Sequence, residues 1–446
     1  MLPVSRRLMP TVLLTTCAFA PAVYAKDLSE IIPGLIVIEP EDMQPNGGHE
    51  AHFNAGADPR TEGAVNAFNS SVAAQLATYP VSSSSGGFNY VFDSATGAKQ
   101  RVTETFGPIF AERGLTMGKG NINAGVLFMS SSSDAIDGID LEDRSLVAQL
   151  KHEAEPTVQD YQNDVIQTEL SLKLDLNTAL FFANYGFTDN LDLGIVLPIV
   201  KTTLEATAYQ TIFPFGSAPP PSLPPSTDWD PSGSFHKFAG GALTRTLTED
   251  ESASGLGDIM LRSKYTFFRP KLAGAGLAAA LDLRLRTGDE KNYLGTGANQ
   301  AKLYFIGSFP VGIWDPHVNV GYTYSSGGLG DVQVPDEIDY TVGVDVAAHR
   351  RLTVAADFLG RTLLDTSRIS VESTPFAVGA IGGGLTTPLP QLYASEDYNE
   401  TLLTGALGVK YNPTKGLLLS LGVLVPVTDD GLTSKFSVAL GLDYSF

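Results

Sequence analysis

The sequence predicts an all-β chain: an antiparallel transmembrane β-barrel of about twelve strands, preceded by an N-terminal plug or periplasmic segment. Three observations predict it. Apolar and polar residues alternate with period two in segment after segment, and short and long connections alternate between these segments. The last segment also ends on an aromatic residue, Phe446, with Tyr444, Leu442, Leu440 and Val438 at every second position before it.

Composition narrows the class. The 446 residues carry 49 Asp and Glu against 29 Lys and Arg, a net charge of −20, so no nucleic-acid partner is expected, because phosphate binding needs a basic face. Charged residues make up 17%, below the ~25% of an average soluble domain, and 45 glycines and 43% hydrophobic residues do not describe a disordered chain. The length suits two or three soluble domains or one large β architecture, and the mean hydropathy of +0.05 leaves both open.

Residues 1–25 read as a signal peptide. Arg6 and Arg7 form a basic start, Leu8 to Ala20 is a short apolar run, and Val23-Tyr24-Ala25 has the residues expected before a cleavage site. The run is too short for a membrane helix, which needs ~20 apolar residues. Cys17 is the only cysteine, so cleavage after Ala25 leaves no thiol for disulfides, metal ligation or nucleophilic catalysis.

Residues 26–118 form the N-terminal segment. Gly63 to Ala77 reads as a short helix with Val65, Phe68, Val72 and Leu76 on one face, and Phe88 to Asp93 and Ala98 to Phe106 as a hairpin. So short a segment offers little core of its own, which favours packing inside or against the barrel.

Residues 119–446 form the barrel. The strands fall at 120–130, 165–186, 191–209, 256–269, 275–287, 301–310, 316–325, 337–346, 351–363, 398–411, 416–426 and 434–446. Segment 165–186 is long enough to hold a break, which leaves fourteen strands as the alternative. An even count puts both barrel ends on the periplasmic side. Tyr185, Tyr265, Phe267, Phe268, Tyr322, Tyr324, Tyr411, Tyr444 and Phe446 suit interfacial girdles. Phe446, Tyr444 and Leu442 are the expected membrane-insertion signal, read by the barrel-assembly machinery, with outer-membrane lipid as the surrounding partner.

With apolar residues turned to lipid, the polar face lines the lumen. Arg262, Lys264, Arg284, Arg286 and Lys302 come from neighbouring strands and need counter-charges; Glu169, Asp175, Asp339, Asp345 and Asp357 are acidic candidates from other strands. Charges on opposing walls set a transverse field across a constriction, whereas a salt-bridge network merely fills a narrow barrel. Twelve strands lie between eight, whose interior is filled, and sixteen, which leave an aqueous channel.

Catalysis has weak support. His152 and His236 sit in predicted loops with no serine that the sequence positions beside them, and His49-Glu50-Ala51-His52 lacks the spacing and third ligand of a zinc site. No enzyme activity, metal or cofactor is expected.

Several stretches carry a family resemblance: GFNYVFDSATG from Gly87, FGPIFAERGLTMGKG from Phe106, NYGFTDNLDLGIVLPIV from Asn184, GLGDIMLRSKYTFF from Gly255, LDLRLRTGDEKNYLGTG from Leu281 and PHVNVGY from Pro316. They resemble a family of outer-membrane transporters related to membrane proteins of phenol meta-cleavage pathways. The resemblance implies a barrel in the bacterial outer membrane that passes small, hydrophobic or aromatic solutes, and it supplies no catalytic residues. A structural or adhesive barrel without transport is the alternative, and a lipid-modifying enzyme a weaker third.

Overall fold

The computed structural model describes residues 26–44, 53, 59–76, 80, 87, 90–93, 98–101, 103–152, 164–213, 215, 236–269, 274–330, 332–377 and 386–446. The signal-peptide residues and His49 to His52 lie outside them. Among the described residues there are two α-helices, α1 (Leu28–Ile36) and α2 (Pro59–Leu76), and eighteen strands. The strands are β1 (Tyr90–Asp93), β2 (Ala98–Arg101), β3 (Ile122–Ile136), β4 (Ile139–Asp140), β5 (Leu146–Lys151) and β6 (Val165–Gly186). They continue with β7 (Leu191–Phe213), β8 (Thr244–Leu256), β9 (Met260–Phe268), β10 (Gly276–Arg284), β11 (Ala298–Ser308) and β12 (Trp314–Leu329). The last six are β13 (Val332–Gln333), β14 (Glu337–His349), β15 (Leu352–Ala377), β16 (Thr386–Tyr411), β17 (Leu417–Pro426) and β18 (Leu432–Ser445).

Twelve strands close a barrel in the order β3, β6, β7, β9, β10, β11, β12, β14, β15, β16, β17, β18. The ring shuts because β3 pairs antiparallel with both β6 and β18, from Ile122↔Tyr185 on one side and Ser445↔Asn123 on the other. β6 runs unbroken through its twenty-two residues, so the count is twelve and not fourteen. β4, β5, β8 and β13 pair only with the long-loop ends of barrel strands, and β1 and β2 form a separate hairpin.

Period-two alternation builds the wall, because successive side chains of a strand point to opposite faces. On β12, Trp314, Val318, Val320, Tyr322 and Tyr324 point out and are exposed, while Asp315, His317, Asn319 and Thr323 point in and are buried. The same holds for Leu193, Ile195 and Leu197 on β7 and for Phe436, Leu440, Leu442 and Tyr444 on β18. Together these residues make a continuous apolar outer band, rimmed by the exposed rings of Tyr185, Phe267, Phe268, Trp314, Tyr411 and Phe446 at the short-turn end. That end is periplasmic in barrels of this type.

Two expected loops are strand. Asp365 to Asp397 belongs for the most part to a hairpin in which β15 and β16 stay paired as far as Ala377↔Thr386, and the connection after Ile212 contains β8. Polar sequence did not mark them because these ladders stand beyond the lipid, where neither face needs an apolar row.

Above the lipid band the faces invert. On β6, Leu170, Leu172 and Leu174 point inward and share a core with Leu28, Ile31, Ile32 and Leu35 of α1. α1 forms because these residues and Ile36 recur at helical spacing on one face, and each is fully buried. α2 buries Val65, Phe68 and Val72 in the same core. Both helices therefore sit inside the long-loop half of the barrel, where Gln210 of β7 donates to the Leu35 carbonyl and Gln75 of α2 accepts from Leu432 N–H.

Candidate functional site in the lumen

The inner wall is built to hold backbone. Residues 103–118 run across its periplasmic half, and side chains from six strands bond to their peptide groups. Thr353 of β15 accepts from Phe106 N–H at 2.8 Å, and Lys410 of β16 donates to the Pro108 carbonyl. Asn319 of β12 bonds both peptide groups of Glu112 at 2.9 and 3.1 Å, and Ser308 of β11 and Thr266 of β9 bond those of Gly114 at 2.8 Å. Asp192 of β7 accepts from Met117 N–H at 2.9 Å. Inward glycines make room: a Cβ on Gly408 would stand 1.9 Å from Ile109 Cδ1, and one on Gly276 2.9 Å from the Gly114 carbonyl oxygen.

Two side chains of this segment plug into the wall's charges. Glu112 places one carboxylate oxygen 3.0 Å from Arg262 and the other 3.1 Å from Lys264, and Arg262 also pairs with Asp282 at 2.9 Å. Arg113 reaches Asp315 at 2.9 Å and Asp345 at 3.5 Å, while His317 meets Asp357 at 2.7 Å. A third tier lies nearer the long loops: Arg361 grips Glu337 in a two-pronged pair, Lys302 meets Asp339 at 2.8 Å, and Arg284 donates to Gln300.

Between the floor at Phe110 and Glu112 and the helix residue Gln75 lies a cavity of about 340 Å³. Its two sides differ. The half formed by β9–β15 presents Arg262, Asp282, Arg284, Lys302, Glu337, Asp339 and Arg361, together with the inward ring of Tyr304. The half formed by β16–β18, β3 and β6 presents Leu402, Leu424, Leu432, Met129 and Leu176, with Ser131, Ser133 and Ser437.

At the long-loop rim, Asp258 shapes the approach to this cavity. It lies in the break between β8 and β9 and accepts four hydrogen bonds, from Thr287 N–H, Gly288 N–H, Thr296 N–H and the Thr296 hydroxyl, at 2.8–3.1 Å. The Gly-x-Gly-Asp strand opening and the Gly-rich connection 285–297 are thus two halves of one device. Across the rim, Asp137 accepts from Ile369 N–H and Gly431 N–H, and burial raises its carboxyl against those two bonds.

Residues 157–400, more than half of the chain, match the model of the family described as "Putative MetA-pathway of phenol degradation". The chain belongs to this family. As a member with this apolar outer band it is a barrel of the bacterial outer membrane. Among solved structures it is similar to an outer-membrane channel from Pseudomonas putida F1, with 12% identity over 75% of this chain and 98% of that one and a TM-score of 0.44. It is also similar to the toluene transporter TodX of P. putida, with 10% identity over 73% and 89% and a TM-score of 0.32. A third is the toluene transporter TbuX of Ralstonia pickettii, with 12% identity over 74% and 90% and a TM-score of 0.25. Curated protein sequences give no significant match.

Of the lumen residues that this family member's sequence suggested, Arg262, Lys264, Arg284, Lys302, Asp339, Asp345 and Asp357 do point inward. Three do not line the lumen. Glu169 and Asp175 share the outward face of β6 with the lipid-exposed Phe181 and Tyr185, because the apolar row at their level is turned in to α1. Arg286 lies past the end of β10, exposed at the rim and paired with Glu290. Most acids and bases of the cavity share the half formed by β9–β15 and pair there, while the opposite half adds Asp430, between β17 and β18.

Sequence reasoning missed Glu112, Arg113, Asp315, Glu337, Arg361 and Lys410. The first two sit outside the barrel sequence, and only the small inward residues, Gly276, Gly408 and Gly422, hinted that something packs against the wall. Elsewhere, the fold brings His152 and His236 together with ring centroids 4.6 Å apart, His236 bonded to Asp164 at 2.9 Å and Phe53 edge-on to both. This buried cluster ties the β5–β6 and β7–β8 connections to Phe53 of the N-terminal segment.

Proposed function

We propose that the protein is a channel for the passive passage of small hydrophobic or aromatic solutes across the outer membrane, with residues 26–118 as its plug. The observation that carries this is the two-sided cavity. Its volume of about 340 Å³ falls at the small end of ligand pockets, ~300–1,000 Å³, which suits a one- or two-ring solute better than a long chain. An apolar face of Met129, Leu176 and Leu424 takes the body of such a solute, and the serines on the same side take a hydroxyl or carbonyl edge. Of the opposite cations, Arg262, Lys302 and Arg361 are each paired with an acid, so the charges supply polar edges with a weakened net field for ions. Floor contacts from strands on most of the circumference support the plug reading.

The test is uptake at limiting concentration. Cells with the intact gene should take up at least one aromatic compound of a panel faster than a deletion strain. Leu424→Asp together with Met129→Asp should slow that uptake while leaving barrel assembly intact. Equal uptake by the two strains across the whole panel sinks the channel.

A further inference from the structure

We propose that the β14–β15 and β16–β17 turns together form a binding edge for anionic phospholipid headgroups in the inner leaflet of the outer membrane. This surface lies outside the lumen and does not depend on the channel reading. Arg350 and Arg351 stand in one turn and Lys415 in the next, and all three are exposed. Among the described residues none of the three has an ion-pair partner. In a chain of net charge −20, neither 346–356 nor 401–428 contains an Asp or Glu, while the exposed acids Asp140, Glu142, Asp143 and Asp250 belong to the opposite end.

The edge is held in shape. Strands lie ~4.8 Å apart, so two turns separated by one strand pair stand about 10 Å from each other. Arg351 closes that gap by donating to the Pro413 carbonyl at 3.3 Å, and its own carbonyl accepts from Asn412 N–H at 2.9 Å. The Asn412 side chain donates to the Thr414 and Leu417 carbonyls, and a Cβ on Gly416 would stand 3.1 Å from the Tyr444 ring. Lys415 therefore sits on a pinned turn at the rim.

What borders the edge identifies its partner. Val354, Val409, Tyr411 and Leu419 are exposed on the lipid-facing side of the same strands, so the groups at the level of the turns are the phosphates of the leaflet whose chains cover that row. Guanidinium and ammonium groups make charge-assisted hydrogen bonds to phosphate oxygens. A zwitterionic headgroup also brings an ammonium, for which this edge has no carboxylate. A glycerol headgroup brings none.

The experiment uses Trp314, exposed and opposite Val346 at the end of β14, as the reporter in a full-length Trp229→Phe chain. The chain is reconstituted in phosphatidylcholine vesicles that carry a minor fraction of phosphatidylglycerol, phosphatidylethanolamine or phosphatidylcholine brominated high on the acyl chain, where bromine quenches a neighbouring indole. Trp314 marks the short-turn end whichever way the barrel inserts. One Lys or Arg near an anionic surface favours binding about five-fold, so brominated phosphatidylglycerol should be enriched at Trp314 at least about five-fold over brominated phosphatidylcholine at low salt. Arg350→Gln, Arg351→Gln and Lys415→Gln combined should bring that ratio close to one. Arg350→Gln with Lys415→Gln, which keeps the bond from Arg351 to Pro413, should give an intermediate ratio with the gel shift on heating unchanged. No enrichment in the wild type, or a wild-type ratio in the triple variant, overturns the proposal. Equal enrichment of brominated phosphatidylethanolamine also overturns it, because the edge then reads phosphate and not net charge.

Discussion

Glu112 sits between Arg262 and Lys264, giving one carboxylate oxygen to each at 3.0 and 3.1 Å in a site where all three side chains are buried. Glu112→Ala takes from two buried cations the carboxylate they share, leaving Asp282 on Arg262 and Asp192 near Lys264, and breaking a buried pair in this way costs about 3–5 kcal/mol. The N-terminal segment should then become trypsin-sensitive in assembled protein, with the barrel's gel shift on heating unchanged. A protease pattern identical to wild type counts against an anchoring role for Glu112.

Gly408 and Gly422 form the second seat of the segment. A Cβ on Gly408 meets Ile109, and one on Gly422 stands 3.3 Å from the Phe110 ring. Gly422→Val is expected to destabilise the seated segment by about 1–3 kcal/mol, the usual range for overpacking, because the atoms nearest its Cβ belong to Ile109 and Phe110, whereas a Cβ on Gly408 would also stand 2.6 Å from the Leu421 carbonyl oxygen of β17. Hydrogen exchange should speed up in residues 103–118 and stay slow in β16 and β17; equal acceleration in both would show that the glycine serves the strand itself.

Asp258 is expected to govern the rim. Each hydrogen bond to a charged group contributes about 1.5–3 kcal/mol, and Asp258→Ala removes four while leaving three buried donors unmatched. Cleavage at the exposed Lys291 by trypsin added to whole cells should rise several-fold. If Lys291 is cut no faster, the connection 285–297 is held by something other than this carboxylate.

Phe446 closes the barrel seam as well as its girdle. Its N–H donates to the Ile122 carbonyl at 2.8 Å across the β18–β3 junction, and its ring packs edgewise on Tyr444 at 4.7 Å. We expect Phe446→Ala to lower the yield of heat-modifiable barrel in the outer membrane and to raise the periplasmic protease load. Normal assembly of this variant would remove Phe446 from the membrane-insertion signal.

All twelve barrel strands could be read from the sequence because lipid imposes a strict period of two, and turns between such strands have recognisable residues. What alternation does not say is which face is apolar for which reason. Leu193, Ile195 and Leu197 alternate toward lipid, whereas Leu170, Leu172 and Leu174 alternate toward α1, and the two patterns look alike on the page. That ambiguity put Glu169 and Asp175 on the wrong side of the wall. Lys264 shows a different limit: its inward direction followed from its strand, but its partner, Glu112, comes from 152 residues away in a segment with no alternation to place it. The hairpin of β1 and β2 and the helix over Pro59–Leu76 emerged where turn residues and helical spacing predicted them.

The length of β6 and β7 carries the wall well past the membrane. Strands of 22 and 23 residues, at ~3.4 Å per residue and a ~40° tilt, stand about 55 Å tall against a lipid band of ~25 Å. The wall therefore rises as a turret about 30 Å above the outer leaflet, through the layer of lipid-bound sugars. At that height the interior is a packed core of leucine and isoleucine shared by the wall and α1, so the protein holds an apolar medium above the depth of any membrane hydrocarbon.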